Sequence, residues 1–387
     1  MKVSQLITIG LLLLVIGAAN SARAAVKVGA LLPFTGPAAL LAEDTLKGME
    51  LRLEELGWSV AGQKLELVKA DSALDPATGL TQARRLVERD RVNVVVGPIS
   101  SAVALAVKSY FKGKGVPYFL PIDGMLDDNE DAPFAFRTGF LVDQSDYTLG
   151  KYAAKQWGFR TAIVMGPDYV FGRSAAAAFK VGFEEEGGKV IQEVFPPLGA
   201  PDFAPFLTAL KGAEVVYVSF FGGDAIRFVQ QWDEFGMKRK MKLVGHGDYV
   251  DNTVLPAQKD AAVGLLSSFH YNPDLDLAAN RKFVAAYKAR YGKEPSAFSA
   301  HGYVTAEVIA RALQALRGKF HAARFVEAAK GVQFDAPWGP FRFDAKTRTP
   351  FFDIYIQVVE KQGDRYYNKV LDTIKAVAPV RRIPPLR

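Results

Sequence analysis

Short apolar runs rich in Val, Ile and Leu alternate along the chain with longer stretches in which apolar residues recur at helical spacing. This alternation predicts buried strands followed by amphipathic helices. Asp75 followed by Pro76 is a typical start signal for one of the helices. The elements predicted for the first unit, in chain order, are Val26–Leu32 (strand), Asp44–Leu56 (helix), Lys64–Ala70 (strand), Pro76–Arg89 (helix), Val92–Val96 (strand), Ser101–Phe111 (helix) and Pro117–Ile122 (strand).

The same rhythm restarts after Phe134–Asp143 and indicates a second, similar unit. One α/β pattern used twice predicts two lobes, each a doubly wound parallel sheet with helices on both faces. The chain ends in a tail rich in Pro and Arg. The elements predicted from here on are helices Gln144–Trp157, Gly172–Glu186, Phe203–Leu210, Ile226–Phe235, Leu277–Tyr291, Ala297–Leu316 and Ala322–Ala329, and strands Thr161–Met165, Lys189–Phe195, Glu214–Phe220, Lys242–Gly245 and Phe351–Val359.

The first residues have the pattern of a secretory signal peptide. Met1–Lys2 is positive, Leu6–Ala19 is apolar, and Ala22–Ala24 offers the A-x-A spacing of a signal-peptidase site. The apolar run is too short for a permanent membrane span. We therefore expect cleavage after Ala24 and an exported, periplasmic protein.

The amino-acid composition excludes several kinds of functional site. The 387 residues include no cysteine, which excludes disulfides, thiolate metal sites and cysteine nucleophiles. The net charge of +7 is spread along the chain, and its one dense cluster, Lys238–Lys242, fits a solvated loop better than a nucleic-acid patch. We expect no cofactor, no metal and no nucleic-acid partner, and the charge is a weak indication of acidic ligands or of a negative membrane surface.

Motifs for catalysis are missing from the sequence. There is no H-E-x-x-H, G-x-S-x-G or P-loop, and the four histidines are scattered. His246 beside Asp248 could do acid–base work, but a loop histidine beside a turn-forming aspartate is the favoured interpretation. We expect no enzyme; an exported hydrolase remains the enzyme alternative.

In parallel α/β sheets, ligands bind beyond the carboxyl ends of the strands. Ser100 and Ser101, where a helix begins, could cap that helix or bind a small anion through its free N–H groups. Aromatic residues in the second unit could enclose an apolar ligand or pack between lobe and loop. The candidate loops are Pro33–Ala42, Pro98–Ser101, Ile122–Met125, Asp168–Gly172, Phe221–Asp224 and His246–Tyr249, and the aromatic candidates are Tyr169, Phe171, Phe221 and Tyr249.

Several segments together resemble the leucine/isoleucine/valine-binding family, the periplasmic receptors of branched-chain amino-acid ABC importers. The resemblance covers nearly the whole chain after the signal peptide and implies two lobes joined by a hinge of three crossings, closing on a solute. We expect the crossings near Arg137–Asp143, Ser268–Pro273 and Asp344–Phe351. The segments that carry the resemblance are "VGALLPFTGPAALLAEDTLKGMELRLEELG", "VVVGPISSA", "FAFRTGFLVDQ", "YVFGR" and "AEVVYVSFFGGDA".

The resemblance also implies roles for single residues. The family's carboxylate-binding serine falls on Ser101, with Ser100 beside it, which implies that Ser101 both caps the helix and binds the ligand. The threonine that helps to hold the ammonium of amino acids falls on Gly124. The acidic residue that pairs with the ammonium falls on Gly247, with Asp248 one step along.

Two aromatic positions of the family, usually tyrosine in amino-acid binders, fall on Phe171 and Phe221. The expected pocket has therefore lost hydroxyls and gained apolar surface, and an unpaired buried ammonium would be costly. Asp123 or Asp248 could still accept an ammonium. The predicted ligand-binding residues are Leu41, Ser100, Ser101, Ile122, Asp123, Gly124, Tyr169, Phe171, Phe221 and Asp248.

These observations lead to one main hypothesis. We expect a solute-binding receptor of an ABC importer that captures a hydrophobic or aromatic monocarboxylate, with a branched-chain or aromatic amino acid as the alternative ligand. Its partners would be that ligand and a membrane permease, and we expect a monomer. The predicted division is 1–24 signal peptide, 25–140 plus 271–346 lobe 1, and 141–270 plus 347–387 lobe 2.

Overall fold

A computed structural model describes residues 24–122 and 132–379 of the chain. Its first large sheet has the strand order β2-β3-β1-β4-β5-β6, and only the short β2 runs antiparallel to its neighbour. The apolar runs of the sequence form its buried centre. The strands of this sheet are β1 (Val26–Leu32), β2 (Ser59–Val60), β3 (Gln63–Asp71), β4 (Val94–Val96), β5 (Tyr118–Leu120) and β6 (Ala135–Arg137).

The second large sheet has the order β15-β14-β11-β10-β9-β7-β8. The strands from β7 to β11 pair in parallel, whereas β14 and β15 are antiparallel additions at one edge, and β12 and β13 form a separate small hairpin. The ranges are β7 (Thr161–Met165), β8 (Lys189–Val194), β9 (Val215–Val218), β10 (Lys242–His246), β11 (Leu266–Phe269), β12 (Gln333–Ala336), β13 (Gly339–Arg342), β14 (Phe352–Gln362) and β15 (Arg365–Val377).

Helices cover both sheets, as the alternation predicts. Asp75 caps its helix as expected, its side chain accepting a hydrogen bond from the N–H of Thr78 at 2.7 Å. The predicted helix over Pro76–Arg89 is α-helical only to Arg84 and continues as a π-helical turn. The α-helices are α1 (Ala39–Glu55), α2 (Pro76–Arg84), α3 (Ser101–Lys114), α4 (Val142–Lys155), α5 (Val170–Glu185), α6 (Ala204–Thr208), α7 (Gly222–Glu234), α8 (Leu255–Gln258), α9 (Ala278–Tyr291), α10 (Ala297–Ala315) and α11 (Ala322–Lys330).

The chain passes three times between the two lobes built on these sheets. It leaves the first sheet after β6 and enters α4, which packs on α5 and on the second sheet. It returns between β11 and α9, which contacts α1, and crosses again between β13 and β14. These passages coincide with the three predicted crossings.

Each lobe contains one pair of helices in very close contact. In the first lobe, a Cβ added to Gly48 of α1 would lie 1.9 Å from the carbonyl oxygen of Ser299, and one added to Gly302 of α10 would lie 1.9 Å from that of Thr45. In the second lobe, a Cβ added to Gly150 of α4 or to Gly182 of α5 would lie 2.2 Å from a carbonyl oxygen of the other helix. Backbone therefore packs directly on backbone, which only glycine permits.

The C-terminal region differs from the prediction. Instead of one strand followed by a tail, β14 continues to Gln362, turns at Gly363 (φ +60°) and returns as β15. Most residues of β15 are partly or fully exposed at the sheet edge, so this strand needs no continuous apolar face. The second sheet is consequently mixed rather than purely parallel.

None of the helices within residues 24–122 and 132–379 combines the length and the apolar character that crossing a bilayer requires. The predicted signal peptide lies outside the described residues except for its last position, Ala24.

Candidate functional site

Loops from both lobes enclose a small cavity with about 30 Å³ of free space inside it. It lies beyond the carboxyl ends of the parallel strands, where the fold brings the predicted loops together. We call it the interlobe cavity. Its lining consists of Ala38, Leu41, Leu74, Ile99, Ser101, Ile122, Tyr169, Phe171, Phe221 and Asp248.

Most of the predicted ligand-binding residues lie in this lining. Ser100, the chain neighbour of Ser101, is not among the lining residues, and Asp123 and Gly124 lie outside the described residues. Tyr249 does not line the interlobe cavity; it is fully buried, and its hydroxyl donates to the carbonyl oxygen of Leu266 at 2.7 Å. Ala38 and Ile99 lie within two of the predicted loops but are not among the predicted ligand-binding residues, and Leu74 lies outside the predicted loops, since small and apolar loop residues give no recognisable signal.

The first lobe contributes the start of α3. Ser100 has extended backbone (φ −116°, ψ 121°), and its Oγ accepts a hydrogen bond from the N–H of Val103 at 3.2 Å, so Ser100 is the N-cap. The expectation that Ser101 caps this helix is therefore wrong, because Ser101 is already the first helical residue. Ser101 instead lines the interlobe cavity, with only 3% of its surface exposed.

The second lobe contributes aromatic rings from the starts of two helices. Tyr169 and Phe171 lie at the beginning of α5, and Phe221 directly precedes α7. The rings of Phe171 and Phe221 meet edge to face, with centroids 6.0 Å apart and planes at 69°. The hydroxyls of Tyr169 and Ser100 are hydrogen-bonded to each other, which joins the two lobes at the cavity wall.

A buried charged network lies behind the aromatic wall. The Nδ1 atom of His246 is 3.0 Å from Oδ2 and 3.1 Å from Oδ1 of Asp146, and its Nε2 atom is 3.4 Å from Oδ1 of Asp248. Tyr217 donates its hydroxyl proton to Oδ1 of Asp146 at 2.7 Å. His246 is thus a buried residue at the end of β10, and its interpretation as a loop histidine is wrong.

The two carboxylates decide the charge of this histidine. Burial lowers the pKa of His246, but the charges of Asp146 and Asp248 outweigh it and raise that pKa to about 10. Around pH 7 the imidazole is therefore protonated between two acidic side chains. All three groups are buried, so their mutual attraction is little screened by salt.

Asp248 faces both this network and the interlobe cavity. It is 3% exposed, and its Oδ1 atom accepts no hydrogen bond from the described residues. Gly247, where the family's acidic residue falls, has no room for a side chain, since a Cβ there would lie 2.2 Å from Cγ of Phe269. An acidic side chain can therefore enter this wall from position 248 but not from 247.

The arrangement offers two kinds of binding surface. The serine hydroxyl and helix start of the first lobe can donate hydrogen bonds to an anion, and the rings of the second lobe can cover an apolar body. His246 already has both ring nitrogens directed at carboxylates. A small, mostly apolar molecule with one acidic group would satisfy these surfaces.

Comparison with known proteins agrees with this geometry. The family described as "Periplasmic binding protein" matches residues 25–364. Leu/Ile/Val-binding protein homolog 6 of Brucella melitensis is 32% identical over 367 residues, covering 92% of this chain and 94% of that protein.

Two solved structures have the same fold. An ABC transporter substrate-binding protein from Sphaerobacter thermophilus is similar with a TM-score of 0.86 and 34% identity, over 92% of this chain and 100% of that one. A solute-binding protein from Rhodopseudomonas palustris BisB5, solved in complex with 3,4-dihydroxybenzoic acid, has a TM-score of 0.86 and 32% identity, over 91% and 98%. The chain therefore belongs to the periplasmic binding proteins of the leucine/isoleucine/valine-binding type, the solute-binding proteins of ABC transporters.

Proposed function

We propose that this chain is the receptor of an ABC importer for an aromatic or similarly hydrophobic monocarboxylate, held in the interlobe cavity. The observation that carries the proposal is the division of the cavity wall. One lobe supplies Ser101 and the start of α3, and the other supplies Phe171 and Phe221.

The carboxylate would bind at the start of α3. The first turn of a helix has N–H groups without intrahelical partners, and the helix dipole favours a negative charge there. Ser100 occupies one N–H of that turn, that of Val103, and Ser101 adds a hydroxyl at the cavity surface. A charge-assisted hydrogen bond at this position is among the stronger contacts a small ligand can form.

The apolar part of the ligand would lie between aromatic and aliphatic side chains. Phe171 and Phe221 replace the tyrosines usual in amino-acid binders, and Leu41, Ile99 and Ile122 cover the opposite wall. The relative from R. palustris BisB5 binds an aromatic acid, which supports the same ligand class for this chain.

The two lobes would close on the ligand as rigid bodies. We assign residues 25–140 with 271–346 to one lobe and 141–270 with 347–387 to the other, since each set contains the strands of one large sheet. Short crossings are typical of hinges. The receptor would be a monomer that delivers its ligand to a membrane permease, would not catalyse a reaction, and would be exported to the periplasm after cleavage behind Ala24.

An amino acid is the second candidate ligand. The relative from Brucella is named as a homolog of a Leu/Ile/Val-binding protein, and Asp248 offers an acidic group at the cavity wall. This candidate is the weaker one because an ammonium has three N–H donors, and each of them needs an acceptor in a buried site. In the part of the cavity wall that the structure describes, Asp248 is the acidic residue available to accept them.

Calorimetric titration with matched pairs tests the proposal. Benzoate should bind more tightly than L-leucine, and phenylpyruvate more tightly than L-phenylalanine. Small-angle scattering with saturating benzoate should show a more compact particle. Tighter binding of the amino acid in both pairs would contradict the proposed ligand class and leave the receptor role intact.

A further inference from the structure

We propose that His270 and His301 form a proton-sensitive switch in the hinge, through which acid opens the lobes and weakens ligand binding. We call these two residues the histidine pair. The inference concerns the regulation of the interlobe cavity, and it rests on the proposed function in its lobe closure and in the benzoate used as a probe.

The histidine pair lies where the three crossings of the hinge meet. His270 directly follows β11 at the start of the second crossing, whereas His301 lies on α10, which packs on α1 of the first lobe. The ring of Phe140, in the first crossing, is 5.4 Å from that of His270 and 6.2 Å from that of His301. Phe352, directly after the third crossing, is 4.4 Å from the ring of His270. Rotation of one lobe about the crossings therefore moves one histidine relative to the other.

The two imidazole rings are bonded to each other and to little else. Their Nε2 atoms share a hydrogen bond, and the rings stack with centroids 4.7 Å apart and planes at 7°. Both side chains are fully buried, and neither Nδ1 atom has a hydrogen bond within the described residues. The shared bond needs an N–H on one ring and a lone pair on the other. It can therefore form only while at least one ring is neutral.

The surroundings of the histidine pair favour its neutral form. Burial lowers the pKa of both rings, that of His301 to about 3 and that of His270 well below its ordinary value, and the cationic His246 lowers both further. His246 lies against the same rings, 4.6 Å from Phe140 and 5.2 Å from Phe269. The ionisable side chains on the surrounding elements are Arg137, Asp143, Asp146, His246, Asp248, Asp251, Arg348 and Asp353.

Acid acts against the contact between the two histidines. A first added proton places a second cation in an aromatic environment beside His246, and a further proton sets one N–H against the other. An open form in which the rings separate and reach water binds protons more readily. Protons and ligand therefore weaken each other's binding, with no effect well above pH 6.5 and a growing effect as the pH falls below it.

Calorimetry on the purified mature protein tests this coupling. The affinity for benzoate is measured at pH 7.5 and at pH 5, where benzoate is still ionised. A ring that is neutral in the closed form, and that keeps its ordinary pKa of 6.5 in the open form, should weaken binding by about tenfold or more at pH 5. Small-angle scattering without added ligand should show a larger radius of gyration at pH 5 than at pH 7.5.

Variants assign the effect to the histidine pair. In His270→Phe/His301→Phe both positions keep an aromatic ring but cannot titrate, and the wild type should lose at least tenfold more affinity between pH 7.5 and pH 5 than this double variant. The difference between the two proteins decides, because Asp251 titrates in the same range with the opposite sign. His301→Gln, which can still form a hydrogen bond with His270, is the milder variant and should reduce the loss. His321→Gln is the matched control, since His321 is an exposed histidine of the first lobe, and its loss should equal that of the wild type.

The remaining outcomes separate the switch from the proposed function. An equal loss of affinity in the wild type and the double variant would overturn the switch and leave the proposed function standing. Binding of L-leucine without binding of benzoate at pH 7.5 would overturn the proposed ligand class, and the same pH series with L-leucine would then decide on the switch. If neither compound binds, a radius of gyration that is the same at both pH values would overturn the switch.

Discussion

The side chain of Asp251, in the second lobe, accepts a hydrogen bond from the backbone N–H of Ala297, the first residue of α10 in the first lobe, at 3.0 Å. A second N–H, that of Thr253, donates to the other carboxylate oxygen at 2.9 Å. Ser296 caps the same helix through the N–H of Ser299. The start of α10 is thus satisfied from both lobes, and a buried acidic group lies at their contact.

This contact predicts a dependence of stability on pH. Burial raises the pKa of the Asp251 carboxyl to about 7, although the hydrogen bonds from the N–H groups of Ala297 and Thr253 lower that pKa in part. Because the folded state then binds the proton more tightly than the unfolded chain, this group's contribution should be largest below about pH 4 and should fall as the pH rises to about 7. The loss is about 1.4 kcal/mol for each unit by which the two pKa values differ.

Asp251→Asn isolates that contribution, since asparagine keeps an oxygen that can accept the N–H of Ala297 but does not titrate in this range. Denaturant unfolding of both proteins between pH 4 and pH 8 is the measurement. The difference in unfolding free energy, wild type minus variant, should become smaller across that range. A difference that is constant with pH would show that Asp251 does not change its proton affinity on folding.

His246 predicts a second effect in a different range. Burial lowers the pKa of His246, but Asp146 and Asp248 raise it to about 10. The stability that the protonated imidazole contributes is therefore complete below about pH 6.5 and is lost as the pH rises to about 10. His246→Gln should remove this part of the pH dependence and cost about 3–5 kcal/mol of stability, because two buried carboxylates lose their shared cation. A wild-type profile that is flat between pH 7 and pH 10 would contradict the protonated state.

The sequence predicts the position of the site better than its electrostatics. Ser101, Phe171 and Phe221 could be predicted because each follows a recognisable strand, and the carboxyl ends of parallel strands meet. The pairing of Asp146 with His246 joins residues 100 positions apart on two different elements. No local pattern encodes such a pairing, and the sequence alone therefore indicates a loop residue at His246.

The fold was predictable wherever burial imposes a pattern. The strand β7 has the predicted bounds, Thr161–Met165, because four of its five residues are buried. The sequence does not indicate the strand β15, because it is an edge strand in which polar side chains interrupt any apolar alternation. A buried face imposes an apolar pattern on a strand, and an edge strand has hardly any buried face.

The close contact between α1 and α10 gives a prediction about packing. In Gly302→Ala the added methyl group would meet the carbonyl oxygen of Thr45, so the helices must separate, and we expect a loss of about 1–3 kcal/mol or more. Gly113→Ala is the control, because a Cβ on this helical glycine meets nothing within 4 Å. It should gain about 0.4–1 kcal/mol. Thermal and denaturant unfolding measure both changes, and similar values for the two variants would contradict the backbone contact.

The neighbouring serines of α3 should separate stability from binding. Ser100→Ala removes the N-cap and should cost about 1 kcal/mol of unfolding free energy. It also removes the hydrogen bond to Tyr169 at the cavity wall.

Ser101→Ala should leave the cap intact and act on the ligand instead. Loss of a charge-assisted hydrogen bond should weaken carboxylate binding by about 1.5–3 kcal/mol, roughly ten- to a hundredfold, while the N–H groups at the start of α3 retain part of the affinity. Because a ligand stabilises the folded protein in proportion to its affinity, the melting shift at a fixed benzoate concentration should shrink as well. Calorimetric titration of both variants against the wild type is the measurement. Parallel isotherms for Ser101→Ala and the wild type would remove this residue from the site, and the carboxylate would then have to bind elsewhere in the interlobe cavity.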